Sequence, residues 1–317
     1  MARPLRIEFP GAFYHVTARG NEQKDVFKSQ KDREKFLAYL ATASERYGAV
    51  IHAYCLMSNH YHLFVETPDG NLSQIMRHIN GAYTTYFNVK RKRAGHLFQG
   101  RYKAILVEAD AHALELTRYL HLNPVRAGMV ARPEDYPWSS YRGYIGQAEP
   151  PNWLRTGFVL DTLAPGRAQA QKTYRRFVED GRQSQNASPL QAVVAATLLG
   201  SETFVAAMTE RHLRGKRTDR HVPALKKLVG RRSLDAIIAG VEGAVGDHAD
   251  LAKKLSLHFC HRHSGANLRE IGARFKMSEA AVCQASRRIM LRAKEDEGVK
   301  DLMSKVEQEL GLLRVET

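Results

Sequence analysis

The chain has 317 residues, of which 44% are hydrophobic and 26% charged. That composition excludes wholesale disorder, and the length favours two domains over one. There are 48 Lys+Arg against 33 Asp+Glu, a net charge of +15 and a pI near 9.8, so polyanions are the first partners to consider. No apolar stretch approaches the roughly 20 residues of a membrane span, and Met1 to Gly11 holds no apolar signal core. Cys55, Cys260 and Cys283 are isolated and odd in number. The expectation is a cytoplasmic, disulfide-free protein with no membrane partner.

The first half alternates strand and helix patterns. Ala12 to Ala18 is aromatic and β-branched and ends at the turn Arg19-Gly20-Asn21, which predicts a strand. Ser29 to Tyr47 is predicted helical, with Gly48 at its end. Val50 to Met57 and His60 to Thr67 form a hairpin through Ser58-Asn59. Asn71 caps a helix to about Val89 whose inner face carries Leu72, Ile75, Met76 and Ile79. Tyr102 to Glu108 is a fourth strand. Asp110 caps a helix running to Leu122, stopped where Asn123 precedes Pro124. The order β-α-β-β-α-β-α predicts an α+β fold with a ferredoxin-like antiparallel sheet. We place this domain at 1–146, a linker with a helical brace (about Arg167 to Asp180) at 147–189, and an all-α domain at 190–317, helical from Leu190 to Leu199 onward and without strands.

Two patterns carry chemistry. Strand alternation puts His60 and His62 side by side on one face with Tyr61 on the other, a spacing that suits chelation of one divalent ion. The pattern is short, and two histidines on a half-buried strand often do no more than hydrogen-bond. On the Asp110 helix, Leu116, Tyr119, Leu120 and Asn123 share one inward face, so a phenol and, one turn later, an amide project together. A core aromatic and a helix stop are the plainer reading of that pair.

The motifs SNHYHLFVE (Ser58 to Glu66), QGRYKAILVE (Gln99 to Glu108) and YLHLNPVRAGMV (Tyr119 to Val130) resemble the single-tyrosine HUH transposases. With ARGN, WSSY and YRRFVEDG, they are most similar to the REP-associated tyrosine transposases, over about residues 1–181. The resemblance implies His60 and His62 as metal ligands, Tyr119 as nucleophile and Asn123 as a polar third ligand. The cofactor is then Mg²⁺ or Mn²⁺, both compatible with mixed nitrogen and oxygen donors. The implied reaction is cleavage and rejoining of single-stranded DNA beside a hairpin, through a 5′-phosphotyrosine and a free 3′-hydroxyl. A free phenol is ionised in only about one molecule in a thousand at pH 7, and a metal would neutralise charge at the phosphate. Tyr61, where the motif has an apolar residue, is a departure the subgroup accommodates. Arg19, Lys90, Arg91, Lys92, Arg93, Arg101 and Lys103 are candidate phosphate contacts beside the site.

In the second half, Arg211 to Arg232 holds nine basic residues and one acid, the pattern of a phosphate-binding arm. Leu268 to Phe275, the turn Lys276-Met277 and the Ser278-capped segment to Ile289 read as a helix-turn-helix, with Arg287 and Arg288 as candidate phosphate contacts. From about Ser233 the chain also resembles domain IV of the replication initiator DnaA, a duplex binder. It lacks that protein's Asp-His-Thr/Ser signature, having Met277-Ser278-Glu279-Ala280-Ala281 there. His258, Cys260, His261 and His263 suggest zinc, but no matching Cys or His pair follows at finger spacing. The leading expectation is a transposase-type DNA strand transferase. The alternatives are a DNA-binding regulator with an inactive HUH domain and a metal-dependent hydrolase using water.

Overall fold

The structure, a computed structural model, describes residues 5–183, 188–213, 228, 233–246, 248–264, 266 and 268–310. It divides into two compact units, Pro4–His212 and the chain from Leu213 onward.

In the first unit, β1 (Ala12–Arg19), α1 (Gln30–Tyr47), β2 (Val50–Leu56), β3 (His60–Thr67), α2 (Leu72–Lys90), β4 (Lys103–Val107) and α3 (Ala109–Arg126) follow the predicted order. The strands lie in the order β2-β3-β1-β4-β5, where β5 is Leu198–Leu199. Each neighbouring pair among the first four is antiparallel, with Thr17 opposite both His62 and Lys103. Gly48 closes α1 in the left-handed region at φ +62°, where a side chain would be strained. One sheet face packs α1 and α2. Tyr61 is fully buried there against Phe36 and donates its hydroxyl to Asn80 Oδ1 at 2.7 Å. The other face packs α3, whose Leu116 and Leu120 are buried with Phe64 and Ala53.

Five expectations change. The sheet has a fifth strand, β5 (Leu198–Leu199), parallel to β4, in a stretch expected to be helical. Leu106 N and Glu108 N donate to the carbonyls of Thr197 and Leu199. Two residues that satisfy an open edge leave no alternation to read in the sequence. Helix α3 begins at Ala109 without a side-chain cap from Asp110. It also runs through Pro124 to Arg126, because Pro124 sits in the last turn, where little of the hydrogen-bond ladder remains to be broken. Asn71 does not cap α2 with its side chain but donates to the Tyr47 carbonyl at 3.0 Å. Finally, the segment read as a linker is packed: its short helix α5 (Gly157–Leu160) and long α6 (Arg167–Gln183) bury Val159, Leu160, Tyr174 and Val178 in the α3-side core, where Tyr144 of the preceding short helix α4 (Tyr141–Tyr144) is also buried. Helix α7 (Glu202–Leu213) follows β5.

The second unit is helical among its described residues: α8 (Leu234–Val245), α9 (Ala249–His263), α10 (Leu268–Phe275), α11 (Glu279–Glu295) and α12 (Glu297–Glu309). Ile237, Val241, Leu255, Phe259, Ile271, Val282, Ile289 and Val306 form its core. Ser278 caps α11, its Oγ accepting from Ala281 N at 3.3 Å. A Cβ on Gly272 would meet the Met277 carbonyl oxygen at 2.5 Å, so α10 lies tight against the turn. His258 and His261 both face Ser286 Oγ at 2.9 Å. Most of the basic run from Arg211 to Arg232 lies outside the described residues.

Candidate active site

The register of β3 turns His60 and His62 toward α3, as alternation requires, and α3 brings Tyr119 over them. The Tyr119 ring stands edge-on to His62, centroids 5.9 Å apart at 90°, and edge-on to His15 of β1 at 6.3 Å and 88°. The rings of His60 and His62 are 5.0 Å apart. Sequence reasoning did not single out His15. It is fully buried, and its Nε2 is 2.9 Å from His62 Nδ1, with the ring planes within 3° of parallel. Nothing within Ala12 to Ala18 marks it: His15 is two residues before Thr17, and only the pairing of Thr17 with His62 across β1 and β3 puts it on the same face.

All three imidazoles are held neutral. Burial pushes His15 down to about 4. Burial, then the nearby Arg19 charge, pushes His60 down to about 4. His62 is pushed well below the ordinary value by burial, then by His15, His60 and Arg19. Neutral imidazole is the metal-binding form. Nε2 of His62 is buried and has no hydrogen-bond partner, which fits a bound cation on that side. Among the described residues no group of three or more His, Cys, Asp or Glu side chains could hold a metal, so any further ligand comes from elsewhere. Asn123 is half-buried, with its Nδ2 donating to the Tyr119 carbonyl at 2.9 Å; this leaves its Oδ1 as the acceptor end. Arg126, also unremarked in the sequence, places its guanidinium 5.4 Å from the Tyr119 ring centroid.

The candidate phosphate contacts divide. Arg19 and Lys103 are exposed on the histidine face, beside His60 and opposite Thr17 respectively. Arg101 lines an open cleft of about 410 Å³ with Arg6, Arg77, Asn80, His96 and Tyr102. Lys92 and Arg93 are exposed. Lys90 and Arg91 are instead committed to the buried Asp32: Lys90 Nζ lies 2.8 Å from Oδ1, and Arg91 closes on both oxygens. Burial alone would raise the Asp32 carboxyl, but hydrogen bonds from Lys90, Arg91 and the Lys28 amide outweigh it and hold the group well below the usual range. In the second unit Arg287 and Arg288 are exposed on α11.

The remaining motifs prove to be architectural. His121, one helical step from the site face, is fully buried between Tyr174 Oη at 2.7 Å and Ser140 Oγ at 2.8 Å. Ser140 Oγ also accepts from Tyr54 N at 3.0 Å. Three motifs thus meet at one imidazole.

The chain is similar to known proteins over part of its length. Residues 9–123 match the family model described as Transposase IS200 like. A Haemophilus influenzae protein named as a REP-associated tyrosine transposase is 25% identical over 155 residues, 45% of this chain and 88% of the relative. A solved structure titled as a REP-associated tyrosine transposase bound to a REP hairpin covers 49% of this chain and 92% of its own, at 18% identity and a TM-score of 0.42. The strands that carry the histidines and the helix that carries Tyr119 lie within the stretch, residues 9–123, that is similar to the Transposase IS200 like family, and the activity class these similarities support is that of a DNA transposase.

Proposed function

We propose that the protein is a metal-dependent single-stranded DNA transesterase that cleaves and rejoins DNA beside hairpins through a 5′-phosphotyrosine on Tyr119. One observation carries the reading: Tyr119 stands edge-on to His62 across a pair of neutral imidazoles, one with a buried, unpartnered Nε2. The name of the Haemophilus influenzae relative, a REP-associated tyrosine transposase, supports a tyrosine as the reacting residue and REP-associated DNA as the substrate.

The chain's own residues act as follows. Arg19 and Lys103 hold the single strand by its phosphates on the histidine face. Tyr119 Oη bonds to phosphorus as the bond to the 3′ oxygen breaks. The phenol loses a proton and the departing 3′-hydroxyl gains one, so the step balances. The product is again a phosphodiester, so its bond energy is kept and the 3′-hydroxyl can reverse the step. The Arg126 cation above the ring stabilises negative charge as it develops on the tyrosine oxygen. Bound by His60 and His62, with Asn123 as third donor, Mg²⁺ or Mn²⁺ would supply charge neutralisation at the phosphate. The helical second unit is assigned to duplex DNA as a helix-turn-helix, with Arg287 and Arg288 on phosphates. Its basic arm adds sequence-independent affinity. The whole fits a cytoplasmic protein. Among the described residues no helix is long and apolar enough to cross a membrane.

The test is incubation of the full chain with a hairpin-flanked single-stranded oligonucleotide. An SDS-resistant protein–DNA adduct should form with Mg²⁺ or Mn²⁺ and be absent in excess chelator. DNA binding without adduct or cleavage identifies a regulator, and cleavage without adduct identifies water as the nucleophile. Either result removes the proposal.

A further inference from the structure

Each imidazole of the HUH pair has a hydrogen-bonding neighbour on its Nδ1 side, and the two neighbours are of different kinds. His60 Nδ1 lies 2.6 Å from Asn59 Oδ1. The Asn59 amide is oriented independently, because its Nδ2 donates to the Gln23 carbonyl at 3.1 Å. An amide oxygen only accepts, so His60 carries its proton on Nδ1 and presents a bare lone pair at Nε2. His62 Nδ1 faces His15 Nε2 at 2.9 Å with nearly parallel ring planes, the geometry of one in-plane N–H···N bond. A neutral imidazole has one donor and one acceptor nitrogen. The shared proton therefore sits on one of two atoms. On His62 Nδ1, it leaves His62 Nε2 bare. On His15 Nε2, it leaves His62 Nε2 protonated and unable to ligate. Nε2 of His62 and Nδ1 of His15 are both buried without partners, so no further hydrogen bond of the chain decides between the two states.

We infer that His15 and Asn59 are positioning residues that hold His62 and His60 in the Nε2-open tautomer, so that both imidazoles meet a divalent cation with their lone pairs already exposed. The inference rests on the proposed metal reading of His60 and His62. It adds that the ligand pair is set from outside by a third histidine on the adjacent strand. A cation at Nε2 stabilises the state in which His62 donates and His15 accepts, and His15 in turn fixes the plane of the ring that ligates. Neither residue touches the DNA or the reacting atoms in this scheme.

The experiment uses the full chain labelled with ¹⁵N-histidine, read by long-range ¹H–¹⁵N correlation, together with titration of Mn²⁺ alone. His60 and His62 signals are assigned by their loss in His60→Ala and His62→Ala. In the wild type with Mg²⁺, both rings should show Nδ1–H and an unprotonated Nε2. His15→Gln, whose side-chain carbonyl accepts as Nε2 did, should keep that signature for His62 and bind Mn²⁺ within about threefold of wild type. His15→Leu should shift His62 toward Nε2–H and weaken Mn²⁺ on the order of 10- to 100-fold, and Asn59→Ala should do the same to His60. A purely structural role for His15 would move neither the tautomer nor the order Gln above Leu. If the wild type shows His62 as Nε2–H in the presence of Mg²⁺, the inference is overturned whatever the His15 and Asn59 variants do. If Mn²⁺ binding is lost in His60→Ala but unchanged in folded His15→Leu, the inference fails while the metal reading stands. If the wild type binds no Mn²⁺ through either histidine, the metal reading fails and takes this inference with it.

Discussion

His121 is adjacent in sequence to the site helix's inner face, yet the structure makes it a strut. Replacement by alanine removes a fully buried ring packed against Tyr141, Tyr144 and Tyr174, with centroids 4.9 to 5.7 Å away. A cavity left by a large core side chain costs about 3 kcal/mol. Loss of the partner to the buried Tyr174 hydroxyl adds roughly 1 to 2 kcal/mol; Ser140 keeps its Tyr54 hydrogen bonds and adds less. The expected loss is about 4 to 5 kcal/mol, against the 5 to 15 kcal/mol typical of a domain. His121→Phe refills the volume and should cost about 2 kcal/mol. Both tryptophans, Trp138 and Trp153, belong to the Pro4–His212 unit. Urea unfolding followed by tryptophan fluorescence therefore reads that unit alone. Burial pushes His121 down to about 3 from 6.5. The folded state keeps the ring neutral while the unfolded state takes up a proton below pH 6.5. This contribution is thus complete above that pH, and it falls by about 1.4 kcal/mol per unit as pH drops toward 3. At pH 5 that amounts to about 2 kcal/mol, and His121→Phe should flatten the acid side of the profile. A His121→Ala cost below about 1 kcal/mol, or an unchanged acid profile in His121→Phe, would refute the strut.

Other outcomes follow from the site. His60→Ala and His62→Ala should each abolish cleavage, in a gel assay with labelled oligonucleotide, while leaving DNA affinity within a few-fold, because phosphate contacts come from Arg and Lys. Asn123→Ala should reduce cleavage less. Asp32→Ala should destabilise the first unit by about 3 kcal/mol in the same urea assay, because it leaves the Lys90 and Arg91 charges without their buried partner. Arg287→Ala with Arg288→Ala should weaken duplex binding and lower the slope of log K against log salt by about one for each phosphate no longer neutralised. An unchanged slope would remove both arginines from the DNA interface.

The face of each candidate residue was legible in the sequence because period-two alternation and the 3.6-residue helix are local rules. They put His60 and His62 on one side of Tyr61 and put Tyr119 with Leu116 and Leu120. What was not legible depends on pairing between distant segments. His15 becomes the partner of His62 only through the β1–β3 register. Lys90 and Arg91 look like a solvated basic loop until α1 delivers the buried Asp32 beneath them. The segment read as linker is core because Tyr174 of α6 reaches His121 of α3, 53 positions away in the chain. Pro124 misled for a local reason: a proline in a last turn breaks few hydrogen bonds, so helix α3 carries Arg126 one further turn, over Tyr119.

The central claim is a covalent bond from DNA to Tyr119. Cleavage after Arg118 and after Arg126 releases the peptide Tyr119–Arg126, whose only tyrosine is Tyr119. Adduct formed on a hairpin-flanked single strand with Mn²⁺, digested with trypsin and nuclease and mapped by mass spectrometry, should place a nucleotide 5′-phosphate on that peptide. Tyr119→Phe should fold and form no adduct. Modification on a peptide carrying Tyr83, Tyr86 or Tyr141, or an adduct persisting in Tyr119→Phe, would contradict the claim.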